Sequence, residues 1–290
     1  MDTWIIYAIL ASLFAGLTSV LAKIGIKGVN SHLATAVRTV VIVIFSWFIV
    51  FIVGSHTELA TVSTRIWLFL IASGLATGAS WLCFFYALKF GTVSSVSPLK
   101  KSSMILTIIL AFLILGEPAG LSQMIGIGFI AAGTALMLKK KKGASEQAKK
   151  EGNWLLFGLL AAVFASLVTI FGAIGIADIE ANLGNAIRVV VVLIASWVMV
   201  GLTGNQKGIK DISKKSWLFL VLSGLATGGS WLFFFRALQI GPASGVVPID
   251  KLSILLNILF ARLFLGEKQS PKQLVGLFCL VIGTLVLVML

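Results

Sequence analysis

Set against itself at an offset of 150 residues, the chain aligns without a gap from Trp4/Trp154 to Lys140/Leu290, with 54 identities in 137 positions. A tandem duplication of this quality means that whatever fold one half adopts, the other adopts too. The shared landmarks are Arg38/Arg188, Ser46-Trp47/Ser196-Trp197, the run Ser73 to Gly78 against Ser223 to Gly228, Ser80-Trp81-Leu82/Ser230-Trp231-Leu232, Pro98/Pro248, Lys101/Lys251 and Leu115-Gly116-Glu117/Leu265-Gly266-Glu267. Between them run long apolar stretches.

Those stretches settle the class. Hydrophobic residues make up 59% of the chain, charged ones only 11%, and the mean hydropathy is +1.07. A soluble enzyme, a secreted disulfide scaffold and a disordered chain are all excluded. The expectation is an all-α integral membrane protein. A span takes roughly 20 apolar residues, so ten spans use about 200 positions and leave about 90 for loops and ends. In the first half the segments fall at about 4–26, 33–53, 66–89, 94–115 and 121–139, with polar or Gly/Pro breaks between them. Adding 150 gives the second five. The organisation expected is therefore a first repeat over 1–140, a polar linker over 141–153 and a second repeat over 154–290. The apolar run from Trp4 is too long for a cleavable signal and has no positive flank, so it is expected to stay in the membrane.

Five spans per repeat is an odd number, which forces the second repeat to enter the membrane upside down relative to the first. The lysines agree. Fourteen fall on one side under this topology: Lys27, Lys89, the six between Lys139 and Lys150, Lys207, Lys210, Lys214, Lys215, Lys268 and Lys272, against Arg65 alone on the other. Short cytoplasmic loops are rich in Lys and Arg, so the lysine-rich side is expected to be cytoplasmic and both termini extracytoplasmic. The net charge of +13 then reflects topology and attraction to anionic lipid rather than nucleic-acid binding.

The repeated pattern resembles bacterial EamA-type members of the drug/metabolite transporter superfamily. The residues that carry the resemblance are the aromatic third helix ending Trp81 to Leu88, Pro98, Leu115-Gly116-Glu117 and the Gly126 to Gly133 spacing, then Trp231 to Leu238, Pro248, Leu265-Gly266-Glu267 and Gly276 to Gly283. What the resemblance implies is a ten-helix secondary transporter or exporter of amino acids, other metabolites or drugs, in a bacterial or archaeal plasma membrane.

Inverted repeats place a substrate site near the bilayer midplane, so the candidates are polar residues deep in the spans. Lys101 and Lys251 each follow a proline by three positions. Pro98 and Pro248 remove an N–H and bend their helices, leaving carbonyls free near the lysines. The alternative is that these lysines reach the interface along their own stems. Lys100 and Asp250 are the aligned neighbours, and adjacent helical residues point about 100° apart, so Asp250 is expected to pair off its own helix, with Arg188 as one partner. Arg38 and Arg188 are substrate contacts or structural anchors. Trp81, Trp231, Tyr86 and Arg236 line the third helices as a wall for cargo or as a lipid-facing belt. Ser80, Ser230 and the small-xxx-small glycines are packing residues, and Glu117 and Glu267 cap the helices that follow them.

No catalytic constellation, metal-ligand spacing or nucleotide loop appears, and the two cysteines lie some 200 residues apart in apolar runs, so no cofactor or metal is expected. The expected partners are a small-molecule substrate and membrane lipids, with the chain monomeric or homodimeric. With Lys100, Lys101, Lys251, Arg38, Arg188 and Arg236 against Asp250, the interior leans positive, which favours cargo carrying a carboxylate or phosphate. A flippase for phosphate-bearing lipids and a non-transporting scaffold or accessory subunit are the alternatives.

Overall fold

The computed structural model describes residues 2–90, 102–118, 120–137, 154–256, 258–259 and 271–289. Every helix found there corresponds to a segment marked by the sequence: α1 (Thr3–Gly25), α2 (Ser31–Val53), α3 (Thr64–Phe90), α4 (Ser103–Ile114) and α5 (Leu121–Met137), then α6 (Trp154–Gly175), α7 (Ala181–Leu202), α8 (Lys214–Ile240), α9 (Ala243–Lys251) and α10 (Pro271–Met289). Short 3-10 turns follow α2 and α7 at Ser55–Thr61 and Asn205–Ile209. Among the described residues α1, α2, α6, α7, α8 and the Thr64–Phe84 part of α3 are long and apolar enough to span a bilayer, and shorter apolar helices accompany them. Leu121 and Leu202 lie 79% and 78% exposed, as apolar side chains do only where lipid covers them. The chain is a multi-pass membrane protein.

Helix ends follow from local chemistry. Asn30 accepts from the N–H groups of His32 and Leu33 at the start of α2, and at the equivalent place Glu180 accepts from Leu183 N–H to start α7. Both helices stop at a glycine turn, Gly54 at φ +82° and Gly204 at +67°, where a side chain would be strained. The fourth segments are the exception to unbroken spans. A continuous helix is expected over 244–265, yet α9 ends at Lys251 and turns at Leu252. The physical reason is Pro248 inside α9: past it the backbone bonds tighten to three-residue spacing, Leu252 N–H to Ile249 O and Leu255 N–H to Leu252 O. The equivalent residue Ser102 is also a turn, immediately before α4.

Two compact units result, each drawing on both halves of the sequence. One comprises Met1–Leu75, Phe171–Gly241 and Ile249–Gly266, the other Ala76–Ile170, Pro242–Pro248 and Glu267–Leu290.

In the first unit α1 lies along α8 in the opposite sense, with Ser230 donating to Ala11 O at one end, Ser223 to Thr18 O in the middle and Gly25 against Leu220 at the other. The repeat returns the last contact in mirror order, Gly175 against Leu70. α2 packs on α7, its own copy, and the two run antiparallel: Asn185 meets Ser46, and His32 meets Met199. A core of Leu33, Ala34, Ala36, Val37, Val200, Ile212 and Leu220 closes this unit.

In the second unit α5 packs on α10, again its own copy and again antiparallel. Gly126 faces Gly283, and Gly133 faces Gly276. A Cβ at Gly133 would sit 2.5 Å from Gly276 O, so glycine is what lets these two backbones touch. Ser80 donates to Ala161 O at 2.8 Å, the counterpart of Ser230 on Ala11. Glu117 does not cap the next helix. Its two carboxylate oxygens take the N–H groups of Ala243 and Ser244 at the start of α9, in the other half of the sequence, while α5 is capped by Gln123 through Gly120 N–H.

Candidate functional site

Two turns into α7, Arg188 is 2% exposed inside the first unit. Its approach to α3 depends on Gly74, where a Cβ would lie 2.6 Å from Val191 Cβ and 2.9 Å from Arg188 O. Nε donates to Ser73 Oγ at 3.1 Å and Nη1 to Asn185 Oδ1 at 3.5 Å, and Asn185 in turn reaches Ser46 Oγ. The guanidinium carbon stands 4.8 Å from the Trp231 ring centre and 4.7 Å from that of Phe235. An arginine at the centre of a span costs about 3 kcal/mol by insertion scales. Two desolvated cation–π contacts, each worth about 2 kcal/mol, are of the size needed to offset it.

Two turns into α2, Arg38 occupies the equivalent place and is treated differently. Its Nη2 donates to Thr227 Oγ1 at 2.7 Å. Thr227 gives its own proton to Ser223 O at 2.7 Å, so in the 3.3 Å contact between Thr227 and Thr18 the Thr18 hydroxyl is the donor, and both lone pairs of Thr227 are filled. Arg38 Nε is buried, with no hydrogen-bond partner among the described residues. Gly224 admits the Arg38 backbone as Gly74 admits that of Arg188, with a Cβ placed 3.1 Å from Arg38 O.

The remaining candidates are held separately, some in each unit. Trp231 is half-buried beneath Arg188. Arg236 donates to Gln239 Oε1, and Gln239 holds the α6–α7 turn through Ile176 O and Ile179 O, so Arg236 braces a turn in the first unit. Trp81 and Tyr86 belong to the second unit, where the Tyr86 ring lies tilted against Phe157 with ring centres 4.2 Å apart. Lys251 and Asp250 pair with each other at 2.8 Å, with side chains 48% and 12% exposed. The sequence argument against that neighbour pair assumed a continuous helix. Lys251 is instead the last residue of α9, where its long side chain turns back. Lys100, Lys101 and Pro98 lie outside the described residues. Among the described residues no three His, Cys, Asp or Glu side chains converge as a metal would require.

Several participants were not singled out from the sequence: Ser73, Asn185, Ser46, Phe235, Thr18 and Thr227. Their signal was present in part, since Ser73/Ser223, Thr77/Thr227 and Phe85/Phe235 are identical across the repeat.

The chain matches the EamA-like transporter family over residues 2–139 and again over 152–289. It is 45% identical over 135 residues to an uncharacterized transporter in the cobO 3' region of Sinorhizobium sp., a match covering 47% of this chain and 96% of that one. With the uncharacterized transporter YxxF of Bacillus subtilis the identity is 32% over 145 residues, 49% of this chain and 45% of the relative. An uncharacterized protein of Methanocaldococcus jannaschii shares 30% over 142 residues, 46% of this chain and 94% of its own length. Two of these relatives are thus about one repeat long. A solved crystal structure superimposes with a TM-score of 0.81 over 98% of this chain and 95% of the other at 17% identity, which speaks to the fold alone. Matched twice over nearly its whole length, once for each half, the chain belongs to the EamA-like transporter family and is a membrane transporter.

Proposed function

We propose that the chain is a secondary transporter that exports small anionic or zwitterionic metabolites, amino acids among them, and acts as a carrier rather than an enzyme. It crosses a bacterial or archaeal plasma membrane ten times as two inverted five-helix repeats, with both termini outside. The observation that carries this reading is the arginine repeated two turns inside the second helix of each half, Arg38 and Arg188. Each is held by hydroxyls of a helix from the other half, Thr227 and Ser73. A cation kept at span depth in both copies is a functional feature by default, and the planar guanidinium of one copy is enough to match a carboxylate.

The antiparallel run of α2 against α7 and of α5 against α10 supports an inverted arrangement in the membrane, and the paired turns at Ser102 and Leu252 supply places for the fourth and ninth spans to bend as access alternates. Lys100, Lys101, the Lys251–Asp250 pair, Trp81, Trp231, Tyr86 and Arg236 are the further candidates that the sequence offers for contacts with cargo.

The test is counterflow in proteoliposomes holding purified protein, with amino acids, organic acids, phosphate monoesters and lipophilic cations offered in parallel. Saturable movement of carboxylate-bearing solutes is expected. Movement of cations only, or scrambling of phospholipid without solute uptake, contradicts the reading.

A further inference from the structure

We propose that the duplication has divided the labour of its two arginines: Arg38, oriented by Thr227 and Thr18, receives a carboxylate of the cargo, while Arg188 is a fixed post that holds α3, α7 and α8 together. The division rests on the anionic-cargo reading and sharpens it to one residue.

The two positions begin as copies and differ at identifiable atoms. Around Arg188, Nε is committed to Ser73 Oγ, Nη1 to Asn185 Oδ1, and the rings of Trp231 and Phe235 lie against the guanidinium. With 2% exposure, a ligand can reach it only by dismantling these contacts. Around Arg38, two elements of that clamp act differently. The residue equivalent to Asn185 is Thr35, whose hydroxyl turns back to Ser31 O at 2.8 Å. The residue equivalent to Ser73 is Ser223, which donates to Thr18 O and accepts nothing from Arg38. Among the described residues one N–H of Arg38 is used, on Thr227 Oγ1, and the buried Nε has no partner. No carboxylate of the described residues lies within ion-pair distance of it.

A guanidinium offers five N–H groups in a fixed fork. Anchoring one of them on a saturated threonine fixes the plane and leaves Nε and a neighbouring nitrogen for two parallel bonds to a carboxylate when access opens and uncovers Nε. Thr18 belongs to this arrangement because its donated proton fills the second lone pair of Thr227. The second half has Val168 at the position of Thr18, so that support exists only on the Arg38 side.

Purified protein in nanodiscs is heated with increasing succinate or L-alanine and, as controls, dimethyl succinate and L-alanine methyl ester, in wild type, R38Q, R38K, R188Q and T227V. Stabilisation by the free acids and not the esters is expected for wild type. R38Q should need at least ten-fold more acid while melting at the wild-type temperature without ligand, R38K and T227V should fall between, and R188Q should melt lower without ligand yet keep its response to the acid. An unchanged acid response in R38Q overturns the division, as does an R188Q protein that melts normally but no longer responds. If wild type responds to the esters as well as to the acids, the anionic-cargo reading itself fails, and that failure is visible before any variant is compared.

Discussion

Two helix pairs in this protein join a helix to its own copy, and they are built from opposite materials. α2 and α7 meet through Ser46 and Asn185 and through His32 and Met199, and carry Arg38 and Arg188. α5 and α10 meet through Gly126, Gly133, Gly276 and Gly283, backbone against backbone. Both pairs are antiparallel and both are self-complementary, so symmetry does not explain the contrast. Lipid tails are as apolar as leucine, so helices in a membrane associate through close contact and scarce polar bonds. The glycine seam uses the first and can be dry. The α2–α7 seam keeps polar groups that close packing alone does not require, which is why the proposed site is placed there.

The contrast can be broken from either side. Leucine at Gly133 meets Gly276 O and Leu280 N, backbone atoms that cannot step aside, at 2.5 and 2.8 Å. Gly133→Leu should cost about 3 kcal/mol or more, seen as loss of a monodisperse peak on size-exclusion chromatography in detergent. A leucine that is accepted with normal melting would dissolve the glycine seam. On the polar side, Arg188→Gln removes the cation between Trp231 and Phe235 and its bonds to Ser73 and Asn185. A loss of about 2 kcal/mol is expected in thermal unfolding. Ser46→Ala deletes only a 3.5 Å bond to Asn185 and should cost about 0.6 kcal/mol, the average for polar contacts between membrane helices. Equal losses in these last two variants would mean that the arginine is not the centre of its seam.

Much of this was legible in the residue order. The repeat, the spans and the packing roles of Ser80, Ser230, Gly74 and Gly224 followed from apolar length and small-residue spacing, because those depend on one helix at a time. What could not be read was the far partner. Glu117 reaches Ala243 and Ser244 across the repeat rather than the helix beside it in sequence. Asn185 looked like one more polar residue until α2 and α3 were brought to it. The Lys251–Asp250 pair was hidden because sequence periodicity carries one unbroken helix past Pro248, whereas a turn at Leu252 interrupts it right after Lys251 before helix resumes over 253–256. Arg38 and Arg188 looked alike because their own positions are identical, and their difference lies in one neighbour a turn earlier on the same helix, Thr35 against Asn185, and in how Ser223 and Ser73 on other helices are used.

The central claim is that the two halves run in opposite senses through the α2–α7 contact. With Cys83 and Cys279 replaced by serine, Ser46→Cys is combined with Asn185→Cys in one protein and with Ser196→Cys in another, and both are oxidised in native membranes. Antiparallel copies predict a rapid disulfide for 46 with 185 and none for 46 with 196, which is Ser46's own repeat counterpart. A bond between 46 and 196 with none between 46 and 185 would mean that the copies run side by side in the same sense, and the account of an inverted, arginine-bearing seam would be wrong.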